Sequence, residues 1–184
     1  MLFGFAVTAT MAADATEGDA MVSESLIKVV EFRLGEEQFA IEVDEVEQIV
    51  EIVEVTRLPR TPDAIHGVID LRGEITVVID PRSLFSVGDP IESDLEPRII
   101  VFDLDEEPQP VGMYVDAVLA VRDYPEQAIE RDETVADIDS AAIDRGLVRG
   151  VIRDDDDDRV VAWLDPLMVA SESAIDRSEI GFLD

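Results

Sequence analysis

The sequence predicts an all-β protein made of two small, similar units, with only short helices. Three observations carry that prediction. Apolar and β-branched residues come in short runs separated by turn residues, a spacing that suits small barrels or sandwiches and not a βαβ sheet. A series of echoes recurs in the same order along the chain. Phe32-Arg33-Leu34-Gly35-Glu36-Glu37 returns as Phe102-Asp103-Leu104-Asp105-Glu106-Glu107, Val43-Asp44-Glu45-Val46 as Val115-Asp116-Ala117-Val118, and Gly67-Val68-Ile69 as Gly150-Val151-Ile152. Finally, an apolar fraction of 47% supplies a buried interior despite the heavy charge.

The elements follow in order. Val29 to Leu34 and Phe39 to Ile41 flank the turn Gly35-Glu36-Glu37 and predict a hairpin. Val46 to Val55 reads as a helical turn entering a strand. Val68 to Leu71 and Ile75 to Ile79 form a second hairpin around Arg72-Gly73, with Gly67 at the strand entry and Gly73 at a turn position needing positive φ. Asp80-Pro81 stops the strand, and Arg82 to Phe85 makes one helical turn. The second unit uses strands over Arg98 to Leu104, Val111 to Val115, Val118 to Tyr124, Leu147 to Ile152 and Val160 to Leu164. Between Pro125 and Arg145 the pattern is a polar, acidic loop with room for a short helix. From Asp165 onward a helix has Leu167, Met168, Ile175 and Leu183 available for packing.

These elements divide the chain into a flexible extension over 1–25, one domain over 26–171 with units at 26–95 and 96–165, and a C-terminal helix or tail over 172–184. Met1 to Ala13 is mildly apolar, but no Lys or Arg precedes Lys28, so the charged start of a secretory signal is missing. The run is also shorter than the ~20 residues of a membrane span. Met11 and Met21 are alternative starts.

Composition narrows the function. The chain has 44 acids against 14 bases, a formal charge of −30, and no cysteine. Disulfides, thiol catalysis and thiolate metal sites are excluded. Nucleic acid and anionic membrane surfaces need clustered Lys and Arg and are repelled. At ~1 M salt the screening length is only ~3 Å, so this surface suits a protein of a halophile living in concentrated salt.

Single carboxylates therefore carry little information. Asp154 to Asp158 lacks the spaced ligands and the Gly of a calcium loop and reads as a solvated turn. His66, the only histidine, has no four-helix phosphotransfer setting. No Gly-rich phosphate loop or histidine cluster is present, so the sequence reads as a non-enzyme with no cofactor and no metal. A paired-carboxylate hydrolase, the remote alternative, needs a deep cleft that compact β units do not predict.

The segment Thr56-Arg57-Leu58-Pro59, continued by Gly67-Val68-Ile69-Asp70-Leu71-Arg72-Gly73-Glu74-Ile75, resembles the CheW-like family of chemotaxis coupling proteins. Their signature is a glycine, a short apolar strand and an Asn-Leu-Arg-Gly turn. Phe32 to Ile41, Val46-Glu47-Gln48-Ile49, Val111 to Val118 and Leu147 to Val151 resemble the family in the same order, so the likeness covers about residues 26 to 171. It implies two packed, five-stranded SH3-like barrels. It implies an adaptor joining the cytoplasmic tips of chemoreceptors to the regulatory domain of a CheA-type histidine kinase. Such a protein is cytoplasmic, recruited to membrane receptor arrays without inserting into the bilayer. A CheW-like scaffold in a non-taxis array is the alternative.

By the same resemblance Arg72 contacts the receptor, Val46, Val118 and Val121 line its groove, and Gly67 matches a position whose alteration harms coupling. Asp70 stands where Asn is usual, and Gln48 where Glu is common. Taken without the resemblance, Arg72 pairs with Asp70 or Glu74, and the three valines divide between core packing and interface. Kinase-facing residues stay unassigned.

Overall fold

The computed structural model of the chain describes residues 25–90, 94–104, 109–131, 146–154 and 157–173. The β-branched runs form eleven strands in this part: β1 (Leu26–Leu34), β2 (Glu37–Glu42), β3 (Val46–Glu51), β4 (Ile65–Leu71), β5 (Glu74–Ile79), β6 (Arg98–Phe102), β7 (Val111–Val115), β8 (Ala117–Pro125), β9 (Ile129–Glu130), β10 (Val148–Asp154) and β11 (Arg159–Leu164). Helices α1 (Arg82–Phe85) and α2 (Pro166–Glu172) follow β5 and β11. Single 3₁₀ turns at Val43–Glu45 and Glu126–Ala128 lead into β3 and β9. Turn chemistry sets the boundaries. Gly35 (φ 57°) permits the tight β1–β2 turn. Asp165 caps α2 by accepting the Met168 amide at 3.1 Å, with Pro166 in the first helical turn.

The strands assemble into two mixed sheets, one ordered β8-β1-β2-β11-β10-β9 and the other β3-β6-β7-β5-β4. One sheet has six strands and the other five, and backbone pairing among the described residues closes neither into a barrel. The two orders match position by position, with parallel pairs at β2–β11 and β5–β7. Neither sheet, however, is built from one sequence unit. The hairpin β1–β2 lies between β8 and β11, while β6–β7 lies between β3 and β5. Each half of the chain therefore lends its first hairpin to the sheet of the other half.

Side chains alternate across these strands and create three apolar clusters. Val30, Phe32 and Leu34 of β1 meet Ile100, Phe102, Met113 and Val115 in the main core, which joins the sheets. Val29, Ala40, Ile152, Val161 and Trp163 form a smaller core of the six-stranded sheet, and Ile69, Val78, Ile99 and Val101 the equivalent core of the other.

The two places where the chain crosses between sheets are each clamped by an arginine between two acids. At the β7–β8 crossing Arg82 binds Asp116 and, at 2.8 Å, Asp80. At the β2–β3 crossing Arg149 binds Glu45 at 2.6 Å and Asp165 at 3.0 Å. Burial pushes the Glu45 carboxyl up, against the pull of Arg149.

Two expectations need correction. Leu167 and Met168 of α2 are exposed, and the buried positions are Pro166, Val169 and Ala170. A seven-residue helix packed on the main core by one side buries one narrow stripe, and the stripe begins one residue earlier than expected. Ile175 and Leu183 lie outside the described residues, as does the helix expected between Pro125 and Arg145 beyond Arg131.

Asp154 is no solvated turn residue: it is 5% exposed. It belongs to a buried network in which Arg159 contacts Asp154 at 2.8 Å and Glu31 at 3.0 Å, Tyr124 donates to Glu31 at 2.5 Å, and Gln38 accepts from Arg159. Burial would raise the Asp154 carboxyl, but the Arg159 and Tyr124 hydrogen bonds hold it below the usual range. Burial, then the hydrogen bond to Glu31, push the Tyr124 hydroxyl well above its ordinary value.

Candidate functional site

The Arg72-Gly73 turn has the glycine it needs at its second position and an arginine in the left-handed region at its first. Leu71 pairs with Glu74, leaving a two-residue connection with φ of 58° at Arg72 and 91° at Gly73. Two successive positive φ values make a type I′ hairpin, whose twist matches that of the flanking strands. Asp70 completes it by accepting the Gly73 amide at 2.6 Å. The Asp70 carboxylate is thus engaged by backbone, and Arg72 pairs with neither Asp70 nor Glu74. Arg72 is exposed and has no hydrogen-bond or ion-pair partner among the described residues.

Gly67 lies in β4 at a register shift, one residue before Val68, which exchanges two backbone hydrogen bonds (2.8 and 2.9 Å) with Thr56. A Cβ on Gly67 would stand 2.5 Å from the Thr56 carbonyl oxygen and 2.6 Å from Val55 Cγ1, and its φ of 151° also favours glycine. Gly150 repeats the device in the other sheet, where a Cβ would meet the Glu130 carbonyl oxygen at 2.6 Å. In both sheets a glycine lets the next segment lie close against the strand.

Val46 and Val118 occupy matching places. Val46 pairs with Phe102 just before a register shift in β3, and Val118 pairs with Phe32 just before one in β8. Both are partly buried and pack against the main core. Val121 pairs with Val30 and is 59% exposed. Its counterpart in β3 is Ile49, also exposed, which sequence reasoning did not single out. The two β3 and β8 clusters therefore stand on different sheets. Arg72 lies at the β4 end of the five-stranded sheet, with β6, β7 and β5 between it and β3. Val46 and Val118 thus pack against one core, while Val121 and Arg72 are exposed, one on each sheet.

A depression of about 410 Å3 opens beside the buried network and is lined by Arg122, Tyr124, Pro125, Ala128, Arg153 and Asp154, with Asp123. Its carboxylates are engaged: Asp154 by Arg159 and Tyr124, Asp123 by Lys28 at 3.6 Å. The acid-pair chemistry of a hydrolase finds no free pair of carboxylates there. His66 packs against Tyr114 with ring centroids 5.5 Å apart and the rings tilted by 34°. Among the described residues no group of His, Cys, Asp and Glu is arranged to hold a metal, and no helix is long and apolar enough to cross a membrane.

The class defined by the fold and site is a two-sheet β protein whose sheets share one main core and which carries an unpaired, exposed arginine on a hydrogen-bonded hairpin turn. The particular family follows from comparison: the chain belongs to the CheW-like family, whose domain matches residues 28–174. Among solved structures it is similar to the scaffolding protein TtCheW from Thermoanaerobacter tengcongensis. The two share 33% identity over 77% of this chain and 85% of that one, with a TM-score of 0.64. No curated protein matches the chain significantly.

Proposed function

We propose that this protein is a chemotaxis adaptor that couples chemoreceptors to a CheA-type histidine kinase, in the cytoplasm beneath membrane receptor arrays. Arg72 carries the reading. An arginine that stays unpaired among 44 acids, on a turn fixed by Asp70 and two positive-φ residues, is held ready for a partner. A guanidinium there can bind a carboxylate in two-pronged fashion or cap the carbonyls of a helical receptor tip. Val46, Val118 and Val121 supply apolar contact with the tip, and Gly67 keeps the 55–57 segment seated so that β4 holds its register.

In this reading each sheet is an SH3-like barrel. β8 lies on one edge of its sheet, and the chain runs on through a 3₁₀ turn to β9 on the other edge. β3 likewise borders one edge and leads to Thr56, bridged to β4 on the other. One bent stretch of chain serving both edges is how a small barrel closes. Control of the kinase would come from holding partners in register, without chemistry by the adaptor.

The test is a pull-down from the native host at high salt with tagged wild type and Arg72→Ala in parallel. Kinase recovered by both, with receptors lost only from the variant, is the expected result. Recovery of neither partner by the wild type would overturn the coupling assignment.

A further inference from the structure

Most described cations are engaged by acids of the same chain, as Arg82, Arg149 and Arg159 illustrate. Four described arginines have no side-chain hydrogen-bond or ion-pair partner among the described residues: Arg33, which is half-buried on β1, and Arg57, Arg60 and Arg72, which are exposed. Glu54, Asp63, Asp70 and Glu74 share the stretch, yet none is held by these arginines.

The matching positions of the other sheet provide an internal control. Arg57 follows Thr56, which Gly67 lets close on β4; Arg131 follows Glu130, which Gly150 lets close on β10. Arg131 stacks over Trp163, 5.2 Å from the ring centroid, and pairs with Glu126 at 3.2 Å. Where Trp163 stands opposite Ala40, the five-stranded sheet has Val78 opposite Gly112, which offers Arg57 no ring. The hairpin tips diverge in the same sense. Asp157 is clamped by Arg122 and Arg159, each at 3.4 Å, whereas Arg72 is free. At these matching positions the six-stranded sheet holds Arg131 and its hairpin tip in internal contacts, while Arg57 and Arg72 of the five-stranded sheet are left without them.

We propose that Arg57 and Arg60 extend the Arg72 contact into a cationic strip along the outer edge of β4 that takes the carboxylates of an acidic helical receptor tip. This inference rests on the receptor-contact reading of Arg72. By the Thr56–Val68 bridge Arg57 lies beside Gly67, so the strip runs roughly 17 Å to Arg72 at ~3.3 Å per residue. That length matches about three turns of an α-helix. At ~1 M salt attraction beyond ~3 Å is screened, so these arginines act by direct, geometrically matched contact and not by steering.

The experiment titrates a chemoreceptor cytoplasmic fragment from the same host, and separately the kinase regulatory domain, into the full chain at ~1 M salt. The variants are Arg57→Glu/Arg60→Glu, Arg72→Ala and Arg131→Ala. Arg57→Glu/Arg60→Glu and Arg72→Ala each weaken receptor binding by about tenfold or more, with kinase binding and thermal midpoint unchanged. Arg131→Ala leaves receptor affinity intact. Lysines in place of the facing receptor carboxylates restore binding to the Arg57→Glu/Arg60→Glu variant. If Arg72→Ala weakens receptor binding and Arg57→Glu/Arg60→Glu does not, or if the latter weakens only kinase binding, the strip is refuted while the role of Arg72 stands. If the wild type does not bind the receptor fragment, the receptor-contact reading falls and takes the strip with it.

Discussion

Arg159 is the most exacting test of how this fold tolerates charge. Its guanidinium reaches Glu31, which is 1% exposed, and Asp154, which is 5% exposed, so both carboxylates have lost most of their hydration. Arg122 contributes only longer contacts, 3.6 Å to Glu31 and 3.5 Å to Asp154. Arg159→Met therefore leaves two buried acids with one distant, half-exposed cation. Removing one partner of a buried pair costs about 3–5 kcal/mol. At ~2–4 °C per kcal/mol for a chain of this size, the melting midpoint falls by about 10 °C.

The five-stranded sheet suggests the repair. Val101 and Leu71 occupy the places that match Glu31 and Asp154 by strand register. The triple variant Glu31→Val/Asp154→Leu/Arg159→Met should recover most of the loss, since apolar replacement of a buried ion network is often neutral or stabilising. Thermal melts followed by circular dichroism at ~1 M salt read both changes. A loss under ~1 kcal/mol for Arg159→Met, the size expected of a surface ion pair, would refute the claim that the network is a dry, mutually dependent unit.

Further outcomes follow from the same geometry. Gly67→Ala and Gly150→Ala each place a methyl within 2.6 Å of a backbone carbonyl oxygen, so each should lose about 2–4 kcal/mol in urea melts. Wild-type stability in either would show that the bridged segments shift freely. The pH response has two limbs. Asp154 titrates below its unfolded value, so its contribution is complete above about pH 4 and is lost as acid protonates the folded carboxyl. Tyr124 titrates above its unfolded value, so its contribution is complete below about pH 10 and declines as pH rises past that point. Tyr124→Phe should flatten the alkaline limb alone, as read by midpoints across pH. Finally, circular dichroism should report loss of structure between ~1 M and ~0.1 M salt, and an unchanged spectrum would count against adaptation to concentrated salt.

What the sequence disclosed depended on how local the cause was. The Arg72-Gly73 hairpin, the β1–β2 turn at Gly35 and the helical turn after Asp80-Pro81 were legible because turn chemistry resides in a few adjacent residues. The exchange of hairpins was not. Strand periodicity says which face is buried but not which neighbour supplies the pairing, and Phe39 meeting Ala162 is a long-range choice. Adjacency misled at Arg72, where neighbouring Asp70 pairs with an amide and not with the guanidinium. Glu31 was hidden for another reason. In a chain so rich in acids, one more carboxylate in a strand gives no sign that it is buried. Among the proposed contacts, Arg57 and Arg60 had one readable signal, a scarcity of cations that makes any unneutralised arginine informative.

The exchanged hairpins decide how the molecule would resist a force that draws its two sheets apart. Two barrels strung on one linker would part at that linker, with little resistance and a wide range of angles. Here a pull must drag β2 from between β1 and β11, or β7 from between β6 and β5, against in-plane backbone hydrogen bonds on both sides. The arginine clamps at both crossings brace the same points. Two braced crossings and a shared core thus join the sheets, where a single linker would leave a hinge.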